Sequence, residues 1–136
     1  MNVNDVVSPR AHEAKIAGDS TMTVWGSGKP MREFLHVDDA ADGCVFLMER
    51  GTQNGLFNLG AGTDVSILEL AETVKSIVGF GGGLVFDSTK PDGMLRKRLD
   101  VSRMSSLGWR ARISLSEGIA RTYEGYLQTL DYAVAE

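Results

Sequence analysis

Apolar residues recur at helical spacing in two segments of the chain, and each segment opens with the same polar pattern. Ser66 and Glu69 form a capping box at the start of the first segment, and Gly79 marks its end. Ser114 and Glu117 repeat the pattern at the start of the second segment. These signals predict two amphipathic helices. Their apolar stripes are Ile67, Leu70, Ala71, Val74 and Val78 in the first helix, and Leu115, Ile119, Tyr123, Tyr126, Leu127 and Leu130 in the second.

Weaker capping signals predict three further helices. Each begins at a residue that can cap a helix or occupy its first position, and two of them end at a glycine. The middle one carries Ala41, Val45 and Met48 on a single face. The expected boundaries are Ser8-Pro9 to Gly18, Asp38 or Asp39 to about Glu49, and Asp100 to Gly108.

Short apolar runs between these helices predict four short strands. Strands that alternate with helices indicate an α/β protein. We find no internal repeat, low-complexity tract or linker, so we interpret residues 1–136 as a single domain. The predicted strands cover residues 21–25, 33–37, 56–59 and 84–86, and the turn-forming run Gly26-Ser27-Gly28-Lys29-Pro30 joins the first two.

The chain is acidic overall, but one stretch of it is basic. Of its 136 residues 24% are charged and the net charge is −4, which argues against a dedicated nucleic-acid-binding protein. Residues 87–112 nevertheless hold seven basic and three acidic residues, a local charge of +4. Such a cluster suits a small anionic ligand better than a polyanion, and a solvated protein face is the alternative interpretation.

Several other kinds of protein and site find no support in the sequence. No apolar run is long enough to span a membrane and the first residues lack a secretory signal, so we expect a cytoplasmic protein. Cys44 is the single cysteine, which excludes an internal disulfide, and its apolar neighbours predict that it is buried. His12 and His36 lie far apart without a cysteine partner, so we expect no metal site.

Two motifs give the sequence its most specific signal. One is Arg32-Glu33-Phe34-Leu35-His36-Val37-Asp38-Asp39, which ends the longer motif over residues 24–39. The other, over residues 86–100, contains Lys90-Pro91-Asp92-Gly93-Met94-Leu95-Arg96-Lys97. Both resemble the GDP-L-fucose synthases of the extended short-chain dehydrogenase/reductase group. Nucleotide-sugar epimerases in general share the first motif, whereas the second is much more specific to the fucose synthases.

The resemblance runs from about Arg10 to Leu130 and implies a fold and a ligand. The implied fold is the C-terminal, substrate-binding lobe of these enzymes, without their N-terminal Rossmann half. The implied ligand is a GDP-sugar, contacted by Arg10, Trp25, Arg32 and Lys97.

The chemistry of these side chains suits a nucleotide sugar. An arginine fork matches phosphate oxygens, the indole of a tryptophan offers a flat face with one N–H donor, and a glycine turn lets backbone approach a ligand. Each residue also has an ordinary structural alternative. Arg10 could be an exposed first-turn residue, Trp25 could be core, Arg32 could pair with Glu33 or Asp38, and Lys97 could be solvated surface.

The groups that carry catalysis in this family are not found in this sequence. The resemblance implies NADPH for the whole enzyme, but no glycine pair here continues into a dinucleotide fingerprint. No tyrosine is followed four residues later by a lysine, and the family's proton-transfer histidine would align near Asn2, with its cysteine upstream of Met1. Gly83 also stands where the family often has a basic residue. We therefore expect no catalytic residue and no cofactor bound by this chain alone, and whether it is part of an enzyme stays open.

Three interpretations of function remain open. The first is a module that binds GDP or a GDP-sugar weakly, on its own or as one half of a split NADPH-dependent epimerase/reductase. The second is a structural protein that associates with itself, because the helix near residues 40–48 and the strand near Phe57 would expose apolar surface without the other half. The third is a truncated gene product without a selected activity.

Overall fold

The computed structural model describes residues 9–51 and 54–134. Ser8, the expected cap of the first helix, and Asn2, the expected histidine position, lie outside the described residues. In chain order the elements are α1 (Pro9–Ala17), β1 (Thr21–Trp25), β2 (Met31–Arg32), α2 (Val37–Glu49), β3 (Val65–Ser66), α3 (Ile67–Val78), β4 (Gly83–Asp87), β5 (Arg96–Lys97), α4 (Ser102–Ser106) and α5 (Leu115–Val134).

The strands form two small sheets. In the first, β1 and β4 pair in parallel, with Thr21 opposite Gly83 and Trp25 opposite Asp87. In the second, β2 is central, because it pairs antiparallel with β3 and parallel with β5. The second pairing places Arg32 opposite Lys97. Each sheet therefore joins a strand of the first motif to a strand of the second.

The hydrophobic core lies where α3 packs between α1 and α5. The predicted capping box of α3 is confirmed, because the Ser66 hydroxyl accepts the Glu69 N–H and the Glu69 carboxylate accepts the Ser66 N–H at 2.7 Å. Gly79 ends the helix in a left-handed conformation, as predicted. All five predicted apolar positions of α3 are buried, and the rest of the core consists of Ala11, Ala14, Met22, Val24, Phe80, Ile119 and Tyr123.

Most of the other predicted elements are confirmed, with small shifts at their ends. Both strands of the parallel pair cover their predicted residues, and α1 ends before Gly18. At α4, the Asp100 carboxylate accepts the Ser102 N–H, but the helix itself begins only at Ser102. At α5, the Ser114 hydroxyl accepts the Glu117 N–H at 3.3 Å, while the Glu117 carboxylate pairs with Arg121. The predicted α/β class, built from short strands that alternate with helices, is confirmed.

The predicted strand over residues 33–37 is wrong. The strand here is β2, and the chain leaves it at Glu33, whose carboxylate accepts the N–H groups of Gly62 at 2.6 Å and Leu99 at 2.8 Å. His36 then caps α2, because its Nδ1 accepts the Asp38 N–H at 3.2 Å. The apolar alternation of Phe34 and its neighbours indicated a strand, but these side-chain-to-backbone bonds hold the segment in a different path.

The predicted strand over residues 56–59 is also wrong. These residues adopt no regular structure, and the side chain of Leu56 is 80% exposed. Within the described residues no neighbouring strand pairs with them, and the Leu56 carbonyl accepts a bond from Arg103 instead. An apolar run forms a strand only where another strand can satisfy its backbone, which a single sequence does not show.

Two predictions about α2 need correction. Neither aspartate caps the helix, because His36 occupies that position. Asp39 is 5% exposed, and its carboxylate accepts the N–H groups of Arg112 at 3.0 Å and Ile113 at 2.8 Å. Cys44 is exposed rather than buried. The face that carries Val45 and Met48, which are 51% and 77% exposed, points to solvent in the described part of the chain.

Candidate functional site

The two sequence motifs meet where the turn after β1 contacts the loop after β4. The Asp92 carboxylate accepts the Ser27 backbone N–H at 2.6 Å and the Ser27 hydroxyl at 2.7 Å. The hydrogen bond from the Ser27 N–H, together with the bond from the Ser27 hydroxyl, holds the pKa of Asp92 below its ordinary value. Just before the turn, the Gly26 N–H donates to the Asp87 carbonyl at 2.9 Å. These bonds fix the two motifs against each other.

Glycine is required twice in the turn after β1. Gly26 has a φ of +88° and Gly28 a φ of +77°, which side-chain-bearing residues rarely adopt. A Cβ on Gly26 would lie 2.5 Å from an Asp92 carboxylate oxygen, and one on Gly28 would lie 2.6 Å from the Phe86 ring. The close approach of the two motifs therefore depends on both glycines.

Trp25 stands on the open side of this junction. Its side chain is 56% exposed, so the interpretation of Trp25 as a core residue is wrong. The Arg10 guanidinium lies 5.4 Å from the centroid of the indole ring, and the Lys90 ammonium lies 5.5 Å from the same ring. Both distances are within the range of a cation–π contact. Helix α1, strand β1 and the loop after β4 thus each contribute one side chain to the cluster.

A tight turn places Lys90 against the indole. The Asp87 carboxylate accepts the Thr89 hydroxyl at 2.5 Å and the Thr89 N–H at 3.0 Å, and these bonds lower the pKa of Asp87. The Lys90 N–H donates to the Asp87 carbonyl at 3.2 Å, which closes the turn. The backbone at Lys90 is therefore held by its own loop.

Arg32 and Lys97 lie side by side on β2 and β5. Arg32 is half-buried, and its Nη1 donates to the Met31 carbonyl at 2.7 Å. Of the carboxylates suggested as its partners, Glu33 binds backbone N–H groups, and Asp38 lies 3.7 Å from Arg121. Arg32 lines a cavity of about 210 Å³ whose other lining residues are Phe34, Ala61, Thr63, Val65, Ala111, Arg112, Ile113, Ser114 and Leu115.

The basic residues Arg96 and Lys97 have different roles. Arg96 forms a two-pronged ion pair with Asp64, with nitrogen–oxygen distances of 2.5 and 3.0 Å. The hydrogen bonds from Arg96 hold the pKa of Asp64 below its ordinary value. Lys97 is exposed, and no ion pair to it is found within the described residues. Arg96 thus ties β5 to the segment before β3, and Lys97 stays accessible to a ligand.

The structure brings the four predicted site residues into two groups on either side of one loop. Arg10 and Trp25 are in direct contact, and Arg32 is adjacent to Lys97. The loop over residues 91–93 links the groups, because Asp92 binds Ser27 while a Cβ placed on Gly93 would lie 3.9 Å from Arg32.

Sequence reasoning missed the roles of Lys90, Asp92 and Glu33 at this junction. The first two belong to the Lys-Pro-Asp-Gly motif, which was visible in the sequence. The residues that Lys90 and Asp92 contact lie more than 60 positions away along the chain, so the sequence did not show these contacts.

The histidines serve packing and capping in the described structure. His12 Nδ1 lies 2.9 Å from the Tyr123 hydroxyl, and burial raises the pKa of Tyr123. His36 caps α2. Among residues 9–51 and 54–134, no cluster of three metal-ligating side chains occurs. None of the helices in the same residues is long and apolar enough to cross a membrane.

Comparison with known proteins gives consistent matches. Residues 3–60 match the model of the NAD dependent epimerase/dehydratase family. The chain is 54% identical over 121 residues to a putative GDP-L-fucose synthase 2 of Arabidopsis thaliana, covering 89% of this chain and 37% of that protein. It is 47% identical over 131 residues to the GDP-L-fucose synthase of Escherichia coli strain K12, covering 90% of this chain and 41% of that protein. The chain thus spans about two fifths of the length of these relatives.

Two solved structures share the fold. A GDP-L-fucose synthetase from Naegleria fowleri superposes with a TM-score of 0.85 at 25% identity, covering 95% of this chain and 40% of the other. A GDP-mannoheptose C4 reductase from Campylobacter jejuni, solved with NADP bound, superposes with a TM-score of 0.79 at 34% identity, covering 91% of this chain and 44% of the other. The described fold therefore corresponds to part of an extended short-chain dehydrogenase/reductase.

Proposed function

We propose that this chain binds the nucleotide portion of a GDP-sugar where its two motifs meet. The premise is that the chain is homologous to part of the GDP-L-fucose synthases. The predicted contacts are Arg10, Trp25, Arg32 and Lys97. The observation that carries the proposal is an exposed indole with a guanidinium 5.4 Å from its ring. The loop over residues 91–93 connects this pair to Arg32, which is paired with Lys97 on β2 and β5.

The charges and shapes of the junction suit this ligand. A GDP-sugar presents a diphosphate, a flat base and polar sugars, and arginine and lysine form charge-assisted hydrogen bonds to phosphate oxygens. Gly26 and Gly28 let the side chains of Asp92 and Phe86 pack directly against the turn after β1. Both carboxylate oxygens of Asp92, which contacts this turn, accept hydrogen bonds from Ser27.

We expect weak binding, with a dissociation constant of about 1 mM, because Trp25 and Lys97 are exposed and would bury little of a ligand's surface. Isothermal titration of the chain with GDP and GDP-mannose is the direct test, with UDP as the comparison ligand. The proposal predicts measurable heat with both guanine nucleotides and a loss of about tenfold in affinity for Trp25→Ala and for Arg32→Ala. Leu68→Ala, at a 45% exposed position on α3, is the control and should bind as the parent does.

Two results would contradict the proposal. One is the absence of heat at millimolar ligand for the parent chain. The other is unchanged affinity in the Trp25→Ala and Arg32→Ala variants.

We assign no hydride or proton transfer to this chain alone. NADP is bound in solved relatives, but the residues of this sequence include neither a dinucleotide glycine fingerprint nor a Tyr-x-x-x-Lys pair. The residues present therefore do not fit the cofactor, and we derive no step through it. Any reductase activity would require a dinucleotide fingerprint and a Tyr-x-x-x-Lys pair from outside these 136 residues.

A second candidate role, association between copies of the chain, is favoured by a set of exposed apolar side chains. Four apolar side chains on α2 and the segment after it are between 51% and 80% exposed. Large exposed apolar surfaces mark contacts with partners or with other copies. We call this set the α2 surface, and its members are Val37, Val45, Met48 and Leu56.

A further inference from the structure

We infer that His12 is a positioning residue, which holds Arg10 against Trp25 by tying α1 to α5. The tie is a hydrogen bond between His12 Nδ1 and the hydroxyl of Tyr123, which lie 2.9 Å apart. Its consequence for ligand binding rests on the function proposed above. Its consequence for the Arg10 guanidinium, 5.4 Å from the centroid of the Trp25 indole, concerns the described side chains alone.

Helix α1 has few apolar side chains to fix its orientation. It has nine residues, and isolated helices shorter than about 12 residues are marginal in water, so contacts with the rest of the fold maintain it. The core contains Ala11 and Ala14 from this helix, whereas its larger apolar residue Ile16 is 71% exposed. A methyl group makes far fewer contacts than a long side chain. Polar side chains therefore determine how α1 is oriented.

Two polar side chains attach α1 to neighbouring helices. Near its C-terminal end, the Lys15 ammonium donates to the Val78 carbonyl at 2.8 Å, but a lysine stem is flexible and restrains direction weakly. Nearer the N-terminal end, the His12 ring bonds to Tyr123 and meets the edge of Tyr126, with ring centroids 5.6 Å apart at an angle of 81°. Because the imidazole is rigid and contacts both tyrosines, His12 restrains α1 more tightly than Lys15 does.

Burial of the Tyr123 hydroxyl makes this bond hard to give up. The side chain is 8% exposed, and burial raises the pKa of Tyr123, so the hydroxyl keeps its proton at neutral pH. A buried hydroxyl without a partner costs free energy, and among the described contacts His12 supplies the partner. Displacement of α1 from α5 would break this bond and is therefore opposed by it.

Arg10 and His12 lie at opposite edges of the buried face of α1. Successive residues turn by about 100° around a helix, which groups Ala11 with Ala14 and places Arg10 on one side of them and His12 on the other. A rotation of α1 that released the His12 ring would move Arg10 in the same sense and change its distance from Trp25. The bond on the α5 side thus sets the position of the arginine on the β1 side.

A matched pair of variants tests the bond. His12→Asn places an amide near the position of Nδ1, and an amide can donate or accept, so this variant can keep the bond to Tyr123 in either tautomer of the histidine. His12→Leu has nearly the same shape as His12→Asn but no polar atom. Tyr123→Phe removes the hydroxyl alone and keeps the buried ring. Thr122→Val is the control, because the hydroxyl that it removes from α5 donates to the Gly118 carbonyl within that helix at 2.8 Å.

The readout without ligand is the NMR signal of the Trp25 indole N–H. Trp25→Phe assigns this signal, and Arg10→Met shows where it lies when the guanidinium is gone. We expect His12→Leu and Tyr123→Phe to move the signal most of the way to its position in Arg10→Met. His12→Asn and Thr122→Val should leave it near its position in the parent chain. Circular dichroism verifies that each variant is folded.

Titration with GDP gives the second readout. His12→Leu should weaken binding about threefold to tenfold, and His12→Asn should restore most of the loss. In the Arg10→Met background, His12→Leu should have little further effect, because the arginine that it positions is already absent.

Four results would overturn the inference. One is a Trp25 signal that Arg10→Met leaves unchanged, and another is a signal that His12→Leu and Tyr123→Phe leave unchanged. The third is an equal shift in His12→Asn and His12→Leu, or in Thr122→Val and Tyr123→Phe. The fourth is an equal loss of GDP affinity for His12→Leu with and without Arg10. The expected shifts without any GDP binding would refute the proposed function and support the positioning role, and GDP binding with an unchanged signal in the variants would do the reverse.

Discussion

Asp92 uses both carboxylate oxygens to hold the turn that follows β1, and this one residue connects the two motifs. The sequence showed Asp92 inside a specific motif and showed Ser27 inside a glycine turn, but it gave no sign that they touch. Trp25 illustrates the same limit, since an aromatic residue at the end of an apolar strand could be core or ligand contact. The side chain of Trp25 is 56% exposed, so Trp25 lies on the surface and not in the core.

The contact between Asp92 and Ser27 should make stability depend on pH. Its hydrogen bonds hold the pKa of Asp92 below the ordinary 3.8, so the stabilisation is fully present above that pH. It is lost as the pH falls through the lower, folded-state pKa. In urea unfolding followed by circular dichroism, the parent chain should exceed Asp92→Asn in stability at pH 7, and the difference should shrink below pH 3.8.

Asp19→Asn is the control for this prediction. Asp19 is exposed, and its carboxylate accepts no hydrogen bond among the described contacts. A difference between the parent and Asp92→Asn that is independent of pH would contradict the account.

Gly26→Ala should damage the same junction through its backbone. The new Cβ would lie 2.5 Å from the Asp92 carboxylate at a φ of +88°, so we expect a loss of at least about 1 kcal/mol of stability and weaker GDP binding. Gly81→Ala is the matched control, because a Cβ there meets no atom within 4 Å and its φ is not positive. Thermal unfolding and GDP titration of both variants provide the comparison, and equal behaviour of the two would refute the structural role of Gly26.

At the scale of elements, prediction worked where the signal was local. The α3 helix carries its cap, its stop and its apolar stripe within 14 residues, and all three are confirmed. The failures over residues 33–37 and 56–59 have a different origin. A strand depends on a neighbour elsewhere in the chain, and the side chain of Glu33 redirects its segment through bonds to Gly62 and Leu99.

Truncation of the buried face of α3 should destabilise the fold far more than truncation of its exposed face. Leu70 is fully buried, so Leu70→Ala should cost about 2–5 kcal/mol of unfolding free energy. Leu68, two positions earlier and 45% exposed, supplies the control with the same chemical change. Chemical denaturation measures both, and similar costs for the two variants would contradict the described packing.

At the scale of the whole molecule, the α/β class and the family resemblance were accessible from the sequence, because both rest on local patterns and motifs. The relative placement of the motifs was not, since it depends on the pairing of β1 with β4 and of β2 with β5. The exposed state of Cys44 was mispredicted, because apolar neighbours on a helix do not reveal what covers it. The exposure of Val45 and Met48 agrees with the apolar surface expected near residues 40–48.

The α2 surface should drive association between copies of the chain. Burying a side chain of the size of methionine contributes about 1.5–3 kcal/mol, so Met48→Glu should weaken association about tenfold or more. Ile16→Glu changes another exposed apolar residue, outside this surface, and serves as the control. Light scattering over a range of concentrations measures the mass. A parent chain that stays monomeric at the highest concentration, or an equal effect of both variants, would refute this role.

The central claim is that a nucleotide binds where the two motifs meet, and amide chemical-shift mapping with GDP tests it most directly. We predict that the perturbed amides lie in the turn after β1, in β2, and in the segment from the end of β4 through β5. The indole N–H of Trp25 should shift with them, while the α3 amides beyond Leu68 and the buried Trp109 indole stay unchanged. Absence of shifts at millimolar GDP, or shifts confined to α3 and α5, would contradict the account.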